Sequence, residues 1–278
     1  MTVPTATSIR ALLAEHGKAP SRALGQHFLA DPNTSRRIVR LAEVGDGDRV
    51  LEIGPGVGSL TAALVEAGAL VTALELDRHV LPLLDAVLAS TGDAAHVHVV
   101  HGDALTEDLG ALVGEGPVVC VSNLPYNVAT PIVMRILEEV PAITRLLVMV
   151  QREVGERMAA GVGGKEYGSV SVRLAFHGRA RIVGTVAPSV FLPPPKVDSA
   201  LVRIDRHAVA PVAVPSYAAL AAVVTAGFAQ RRKMLRRALV PLLGDRTIPV
   251  LEAAGIDPAA RAETLDLAAF AALTRAAA

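Results

Sequence analysis

Five short apolar runs rich in β-branched residues recur along the first half of the chain, and three of the gaps between them have room for a helix. Arg49–Ile53, Leu70–Leu74, His96–Val100, Val118–Ser122 and Arg145–Val150 read as strands. Leu60–Ala67, Val80–Ala89 and Thr130–Glu139 read as helices between them. This alternation predicts an α/β fold with a mostly parallel sheet, because parallel neighbours need a crossover, usually helical. Ahead of the first strand, Asp31-Pro32 offers an N-cap and a first helical position for a helix to about Glu43.

The pattern changes after Gln151. Val154–Ala160 and Val170–His177 look helical, while Arg181–Ala187 and Ser199–Ile204 look like strands. Between those strands lies Phe191-Leu192-Pro193-Pro194-Pro195, a rigid loop that cannot be a central strand. From about His207 the chain is rich in Ala and Leu and reads as helices only. The expectation is an α/β domain over residues 1–206, its segment 1–30 covering the main site, and a small all-α domain over 207–278.

Composition narrows the function classes. The chain has 278 residues, 51% of them hydrophobic, enough for a sizeable core. Lys plus Arg (27) equals Asp plus Glu (27), which excludes a wholly basic nucleic-acid-coating protein but not a local patch. Residues 187–278 carry 11 Lys/Arg against 7 Asp/Glu, so the positive charge gathers toward the C-terminus. The single Cys120 excludes a disulfide scaffold and a Cys-based zinc site, and its place in a buried strand makes it inert packing. The eight histidines show no metal spacing; His96, His98 and His101 alternate around one strand. No apolar run is long enough to span a bilayer, and Met1–Lys18 lacks a secretory pattern, so a cytoplasmic protein without membrane contact is expected.

Candidate chemistry sits at the strand ends. Glu52-Ile53-Gly54-Pro55-Gly56-Val57-Gly58 joins the first strand to a helix, where glycines admit a ligand close to the backbone and the helix start offers free N–H groups. Glu75 ends the second strand, 21 residues after Gly54, placed to accept hydrogen bonds from ribose hydroxyls. Together they indicate an adenosine-containing ligand. The G-x-G-x-G spacing, with Ser59 where a dinucleotide site has its last glycine, favours S-adenosylmethionine and leaves NAD open. Gly102-Asp103 follows the third strand; Asp103 either accepts from an adenine amine or simply makes a turn. Asn123-Leu124-Pro125-Tyr126 follows the fourth strand. An exocyclic adenine amine is a poor nucleophile, and the Asn123 side-chain oxygen and the Leu124 carbonyl can accept its hydrogens while Pro125 stiffens the loop. Tyr126 can stack on a base removed from its helix.

On these motifs the sequence resembles the ribosomal RNA adenine N6-dimethyltransferase family, and within it the bacterial small-subunit branch. The resemblance runs from Leu24-Gly25-Gln26-His27-Phe28-Leu29 to Arg261-Ala262-Glu263-Thr264-Leu265 and is most specific at Gln26–Leu29, Asn123–Asn127 and Phe191–Ser199. It implies a class I S-adenosylmethionine-dependent methyltransferase domain of Rossmann-like form, a helical C-terminal domain and no metal. It also implies dimethylation of two adjacent adenines in the 3′-terminal hairpin loop of 16S rRNA, within the small-subunit precursor, by a monomer. By this resemblance Gln26, His27 and Leu29 lie at the methionine end of the cofactor, with Gly54 and Gly56 beneath. Glu75 would hold the ribose, Asp103 the adenine and Asn123 the region of the transferred methyl. Glu52, Leu76, Gly102 and Ala104 complete the expected cofactor set, and Phe191 would stack on the target base opposite Tyr126.

Three other readings compete. Large-subunit enzymes of the macrolide-resistance kind typically carry Ile and Phe where this chain has Leu124 and Tyr126. A non-catalytic ribosome-assembly factor on the same fold is opposed by the intact Asn123–Tyr126, and nothing in an NAD-dependent oxidoreductase calls for that tetrapeptide. For the RNA, Arg231, Arg232, Lys233, Arg236 and Arg237 place five cations in seven positions. They are expected on one helix, with 232/236 and 233/237 adjacent, as a phosphate-binding face.

Overall fold

The computed structural model describes residues 3–21, 24–91, 94–230 and 232–278. Its elements are α1 (Ala6–Glu15), β1 (Phe28–Leu29), α2 (Pro32–Ala42), β2 (Arg49–Ile53), α3 (Ser59–Glu66), β3 (Leu70–Glu75), α4 (Leu81–Thr91), β4 (Val97–His101), α5 (Leu109–Val113), β5 (Val118–Asn123), α6 (Ala129–Glu139) and β6 (Ile143–Gln151). There follow α7 (Arg152–Met158), α8 (Ser169–His177), β7 (Gly178–Val186), β8 (Phe191–Leu192), β9 (Ser199–Arg206), α9 (Tyr217–Ala229), α10 (Leu235–Ala238), α11 (Val240–Leu243), α12 (Thr247–Ala253) and α13 (Leu267–Ala277). Each strand and helix expected up to Ile204 is present within a few residues of its expected ends. The expected cap is real: the Asp31 carboxylate accepts from the Thr34 backbone N–H at 2.9 Å, Pro32 opens α2, and Glu43 ends it in the left-handed region.

Among the described residues the main sheet has seven strands in the order β4-β3-β2-β5-β6-β9-β7. Strands β2 to β6 run parallel, and β9 pairs antiparallel with β6. From β2 the chain moves outward through β3 and β4, then returns to β5 on the other side of β2. That reversal puts a crevice between β2 and β5, beyond their carboxyl ends. The two strands pair only at Val50–Val119 and Leu51–Cys120. Farther on they part, and the buried Ser122 hydroxyl accepts the Ile53 N–H at 2.9 Å in place of a ladder bond. Cys120 is buried in β5, where desolvation pushes its thiol up to about 12.

A second, two-stranded sheet joins distant parts of the sequence. Phe28 pairs with Leu192 and Leu29 with Phe191, extended by Ala30 N–H to Val190 carbonyl at 2.8 Å. Two-residue strands leave no periodic signal, so they do not show in the hydrophobic pattern; α1 and α5 were not anticipated either.

The chain divides into two compact units, Met1–Gly155 with Arg181–Arg206, and Glu156–Ala180 with His207–Ala278. A continuous domain over 1–206 is therefore corrected: residues 156–180 belong with the helical part. Tyr167 and Val172 are buried in one cluster with Leu220, Val224, Leu251 and Phe270, and the Tyr167 hydroxyl donates to the Leu265 carbonyl at 2.9 Å. Among the described residues no helix is long and apolar enough to cross a membrane.

The helix that follows Asn123–Tyr126 is anchored from its far end by Arg206. Its guanidinium donates to the carbonyls of Ile136 (3.0 Å), Leu137 (2.8 Å), Val140 (3.1 Å) and Ile143 (2.7 Å). Carbonyls at the end of a helix keep acceptor capacity to spare, and a cation suits that pole of the dipole. Arg206→Met keeps most of the stem and removes these bonds. It should lower the free energy of unfolding by about 1.5–3 kcal/mol, the worth of a hydrogen bond to a charged group. Urea titration should show a lower midpoint at an unchanged slope.

Candidate active site

One cavity at the crevice collects most of the expected residues. Gln26, His27 and Leu29, then Glu52, Gly54 and Gly56, then Glu75 and Leu76, and finally Asn123, Leu124, Pro125 and Tyr126 all line it. Sequence reasoning did not assign Gly25, Val57, Ser59, Leu60 and Asn127, which line it too. These are wall residues of the motifs already recognised; the glycine and the apolar side chains carry no chemical signal of their own, and Asn127 stands out only as part of its motif.

The glycine turn is built for close approach. Gly54, Gly56 and Gly58 all have positive φ, and a Cβ on Gly56 would sit 3.0 Å from the Phe28 ring. A Cβ on Gly58 would meet Leu84 at 2.7 Å. Next to this turn, Glu75 accepts the Gly56 N–H at 2.9 Å on one oxygen and the Asp77 N–H at 2.8 Å on the other. Burial raises its pKa, and those backbone donors hold the rise in check. Each oxygen keeps a further lone pair for a hydroxyl donor.

Glu52 is more extreme. It is fully buried, and burial, with the Glu75 charge adding to it, pushes its pKa up to about 8. One of its oxygens, Oε2, has no hydrogen-bond partner, nor has the Ser59 hydroxyl. Buried acceptors without donors facing a cavity call for a cationic or donor-bearing ligand. The amino-acid end of S-adenosylmethionine, with its ammonium group, meets that requirement, so the donor set fits the cofactor that the sequence suggested.

Asn123, at the end of β5, donates from Nδ2 to the His27 carbonyl at 3.2 Å. A carbonyl only accepts, so the amide orientation is set and Oδ1 is the acceptor left to the cavity. The His27 Nδ1–H donates to the Pro193 carbonyl at 2.7 Å, and the imidazole stacks on Tyr126 with centroids 5.7 Å apart. The half-buried Tyr126 hydroxyl is hydrogen-bonded to the buried Ser199 hydroxyl at 2.7 Å. Gln26 bridges the Ser21 N–H (2.7 Å) and the Asp77 carboxylate (2.8 Å).

Some expected residues are elsewhere. Phe191 does not face the cavity: it is 4% exposed, pairs with Leu29 and packs among Ile38, Leu147, Met149 and Leu201. Stacking on a base would require it to leave the core, so that role is withdrawn. Gly102, Asp103 and Ala104 lie at the same sheet edge, where Gly102 N–H donates to the Glu75 carbonyl at 2.9 Å, but they do not line the cavity. Asp103 accepts its neighbour Leu105 N–H at 2.8 Å, a local turn. The single basic helix is also corrected. Gln230 caps α9, Arg232 and Lys233 lie in a turn closed by Lys233 N–H to the Gln230 carbonyl, and only Arg236 and Arg237 are helical, in α10. Four like charges at helical spacing would repel, and the turn relieves this. Arg231 lies outside the described residues. Among the described residues no group of three or more His, Cys, Asp or Glu is placed to hold a metal ion.

The model of the ribosomal RNA adenine dimethylase family matches residues 18–278. The chain belongs to that family. This makes it an rRNA adenine dimethyltransferase that depends on S-adenosylmethionine. Over 269 residues it is 48% identical to the ribosomal RNA small subunit methyltransferase A of Leifsonia xyli subsp. xyli, covering 94% of each chain. The crystal structure of a dimethyladenosine transferase from Plasmodium falciparum superposes with TM-score 0.76 over 89% of this chain and 96% of that one, at 24% identity. That of the 23S rRNA methyltransferase ErmE gives 0.67 over 90% and 98%, at 26% identity. The fold of this dimethylase is accordingly the class I methyltransferase fold with a helical C-terminal part.

The state of Glu52 sets a pH dependence. Between the ordinary 4.5 and about 8 the folded dimethylase holds a proton that the unfolded chain has lost. Stability therefore falls as pH rises through that window and levels off above it. Glu52→Gln should remove this component, gaining on the wild type from about pH 5 to 8 in unfolding titrations. A difference that stays constant across that range would show Glu52 to be ionised in the fold.

Proposed function

We propose that the protein dimethylates the N6 amines of two adjacent adenines in the 3′-terminal hairpin loop of 16S rRNA, in the cytoplasm, on precursors of the small ribosomal subunit. The observation that carries the chemistry is the fixed Asn123 amide at the β2–β5 crevice, beside the glycine turn and the buried carboxylates. The small-subunit name of the Leifsonia relative supports the choice of substrate. Leu124 and Tyr126, where macrolide-resistance enzymes typically have Ile and Phe, support it over a large-subunit target.

When bound, S-adenosylmethionine supplies a methyl group on a positively charged sulfur and leaves as S-adenosylhomocysteine. Glu75 would accept from the cofactor's ribose hydroxyls, Glu52 would hold its ammonium group, and Gly54 and Gly56 would let it lie close to the backbone. The Asn123 oxygen accepts a hydrogen bond from the adenine amine, as does the Leu124 carbonyl, and draws the nitrogen lone pair out of conjugation with the ring. As the nitrogen takes the methyl group it gains positive charge, later removed by loss of one N–H proton to water, and a fixed oxygen at that point stabilises the transition state more than the bound substrate. Tyr126, held by Ser199, offers its ring to the extruded base.

Asn123→Ala should lower kcat about 100- to 1,000-fold, the typical effect of one well-placed polar partner, with cofactor affinity little changed. Labelled cofactor, undermethylated small subunits and mapping of the modified bases test both the residue and the site. Label in the large subunit, or in no adenine of the hairpin, would overturn the assignment.

Arg232, Lys233, Arg236 and Arg237 are exposed and form the part of the C-terminal cation cluster that is described. In this reading they hold the rRNA backbone without reading its sequence. Reversing Arg232 and Arg236 to Glu should weaken subunit binding and flatten its dependence on salt while cofactor titration stays at the wild-type value.

A further inference from the structure

A second groove adjoins the cofactor cavity and shares Gly25, Gln26, His27 and Tyr126 with it. Among the described residues three cations line it, Arg10, Lys18 and Lys196, and no Asp or Glu does. On a chain of zero formal net charge, that is a local excess of one sign. All three are exposed, and none makes an ion pair with a carboxylate among the described residues.

The cations are held on firm supports. Arg10 lies on α1, whose Ile9 and Leu13 are buried in one cluster with Val80, Leu83 and two residues of the cofactor-cavity wall, Phe28 and Val57. Gly17, at φ +60, turns the chain back at the end of α1, and Lys18 N–H donates to the Leu13 carbonyl at 2.8 Å. Lys196 follows Pro193-Pro194-Pro195, whose rings fix the backbone, and Pro193 is tied to His27 through its carbonyl. Between these cations the groove is walled by the prolines and by apolar side chains, among them Leu13 and the 45% exposed Val197. Cations along a trough with flat apolar walls, opening at Tyr126, suit a single nucleic-acid strand: phosphates on the charges, base faces on the walls.

We propose that Arg10, Lys18 and Lys196 form a phosphate track that holds the nucleotides flanking the target adenine. This rests on the reading of the protein as acting on an rRNA loop. The track belongs to the first compact unit, whereas the C-terminal cluster belongs to the second, and its place beside Tyr126 makes it a positioning device for the strand that enters the site.

The test uses the full-length triple variant Arg10→Gln/Lys18→Gln/Lys196→Gln and a fluorescently labelled RNA hairpin whose loop carries two adjacent adenines. Each phosphate contact on a single strand contributes roughly 0.7 to the slope of log affinity against log salt, so the slope should become shallower by about 2. KM for undermethylated subunits should rise while S-adenosylmethionine affinity, read by calorimetry, stays at the wild-type value. Lys196→Gln alone, on a loop stiffened by proline, should give about a third of the change in slope and guards against a folding defect in the triple variant. Wild-type slope and affinity in both variants would overturn the track, the wild-type protein still binding and methylating its subunits. A wild-type protein that neither binds nor methylates small-subunit RNA would instead sink the functional reading, and the track with it.

Discussion

The bond from Asn123 Nδ2 to the His27 carbonyl, 3.2 Å long, is what turns a strand end into a chemical site. A free amide samples two orientations and presents a donor or an acceptor to the cavity by turns. Here the donor is spent on a group that can only accept, so the oxygen faces the substrate side. The bond is in turn supported on the His27 side. The imidazole is pinned to Pro193 and lies on Tyr126, and Tyr126 is pinned to Ser199. Residues separated by more than 170 positions thus form one connected set, and the short β1–β8 sheet holds the two outer segments in register. Catalytic groups gain from being oriented before the substrate arrives, since the cost of ordering them is then met by folding.

Electrostatics at the other end of the cavity has the opposite character. Where Asn123 is fully arranged, Glu52 is left with a buried oxygen lacking a donor, and Glu75 stands close enough to oppose its ionisation. A buried carboxylate without a partner is expensive to charge and cheap to keep protonated. A cationic ligand reverses this, favouring the ionised form, so charge complementarity in the cavity is completed only by what binds. In the proposed reading the two ends divide the work: one would be set in advance for the reacting amine, the other left open to a particular charge.

The ends of the inner strands β2, β3, β5 and β6 were legible in the sequence because parallel strands largely buried on both faces read as apolar runs, each followed by its glycine or polar motif. The sequence alone therefore places Asn123–Tyr126, Glu52–Gly58 and Glu75 at one edge. Phe191 could not be placed so. Its Pro-rich neighbourhood reads as a loop, and loop aromatics are natural candidates for stacking, but the partner strand that buries it is a two-residue segment more than 160 positions away. The run Arg231–Arg237 failed for a local reason. Helical spacing was inferred from the identity of the charges, whereas Met234 adopts an extended backbone and starts a new short helix. Residues 156–180 were assigned to the wrong unit because helices of either unit share one periodicity, and only the buried contacts of Tyr167 and Val172 decide where they belong.

The placement of charge follows from the same division. A chain with equal numbers of acids and bases has no general attraction for RNA, so long-range steering must come from where the cations stand rather than how many there are. Among the described residues that line the groove at Tyr126 the cations stand without acids, while Glu43, Glu66 and Glu139 pair with Arg145 and Arg203, Arg36 and Arg135 respectively. Exposed pairs of that kind contribute little to stability. Their consequence here is spatial: arginines matched to carboxylates offer an approaching phosphate little net charge. In the proposed reading, the unmatched cations beside the site then dominate the field that a phosphate chain meets there, and the strand would be drawn toward the amide that is already oriented to receive it.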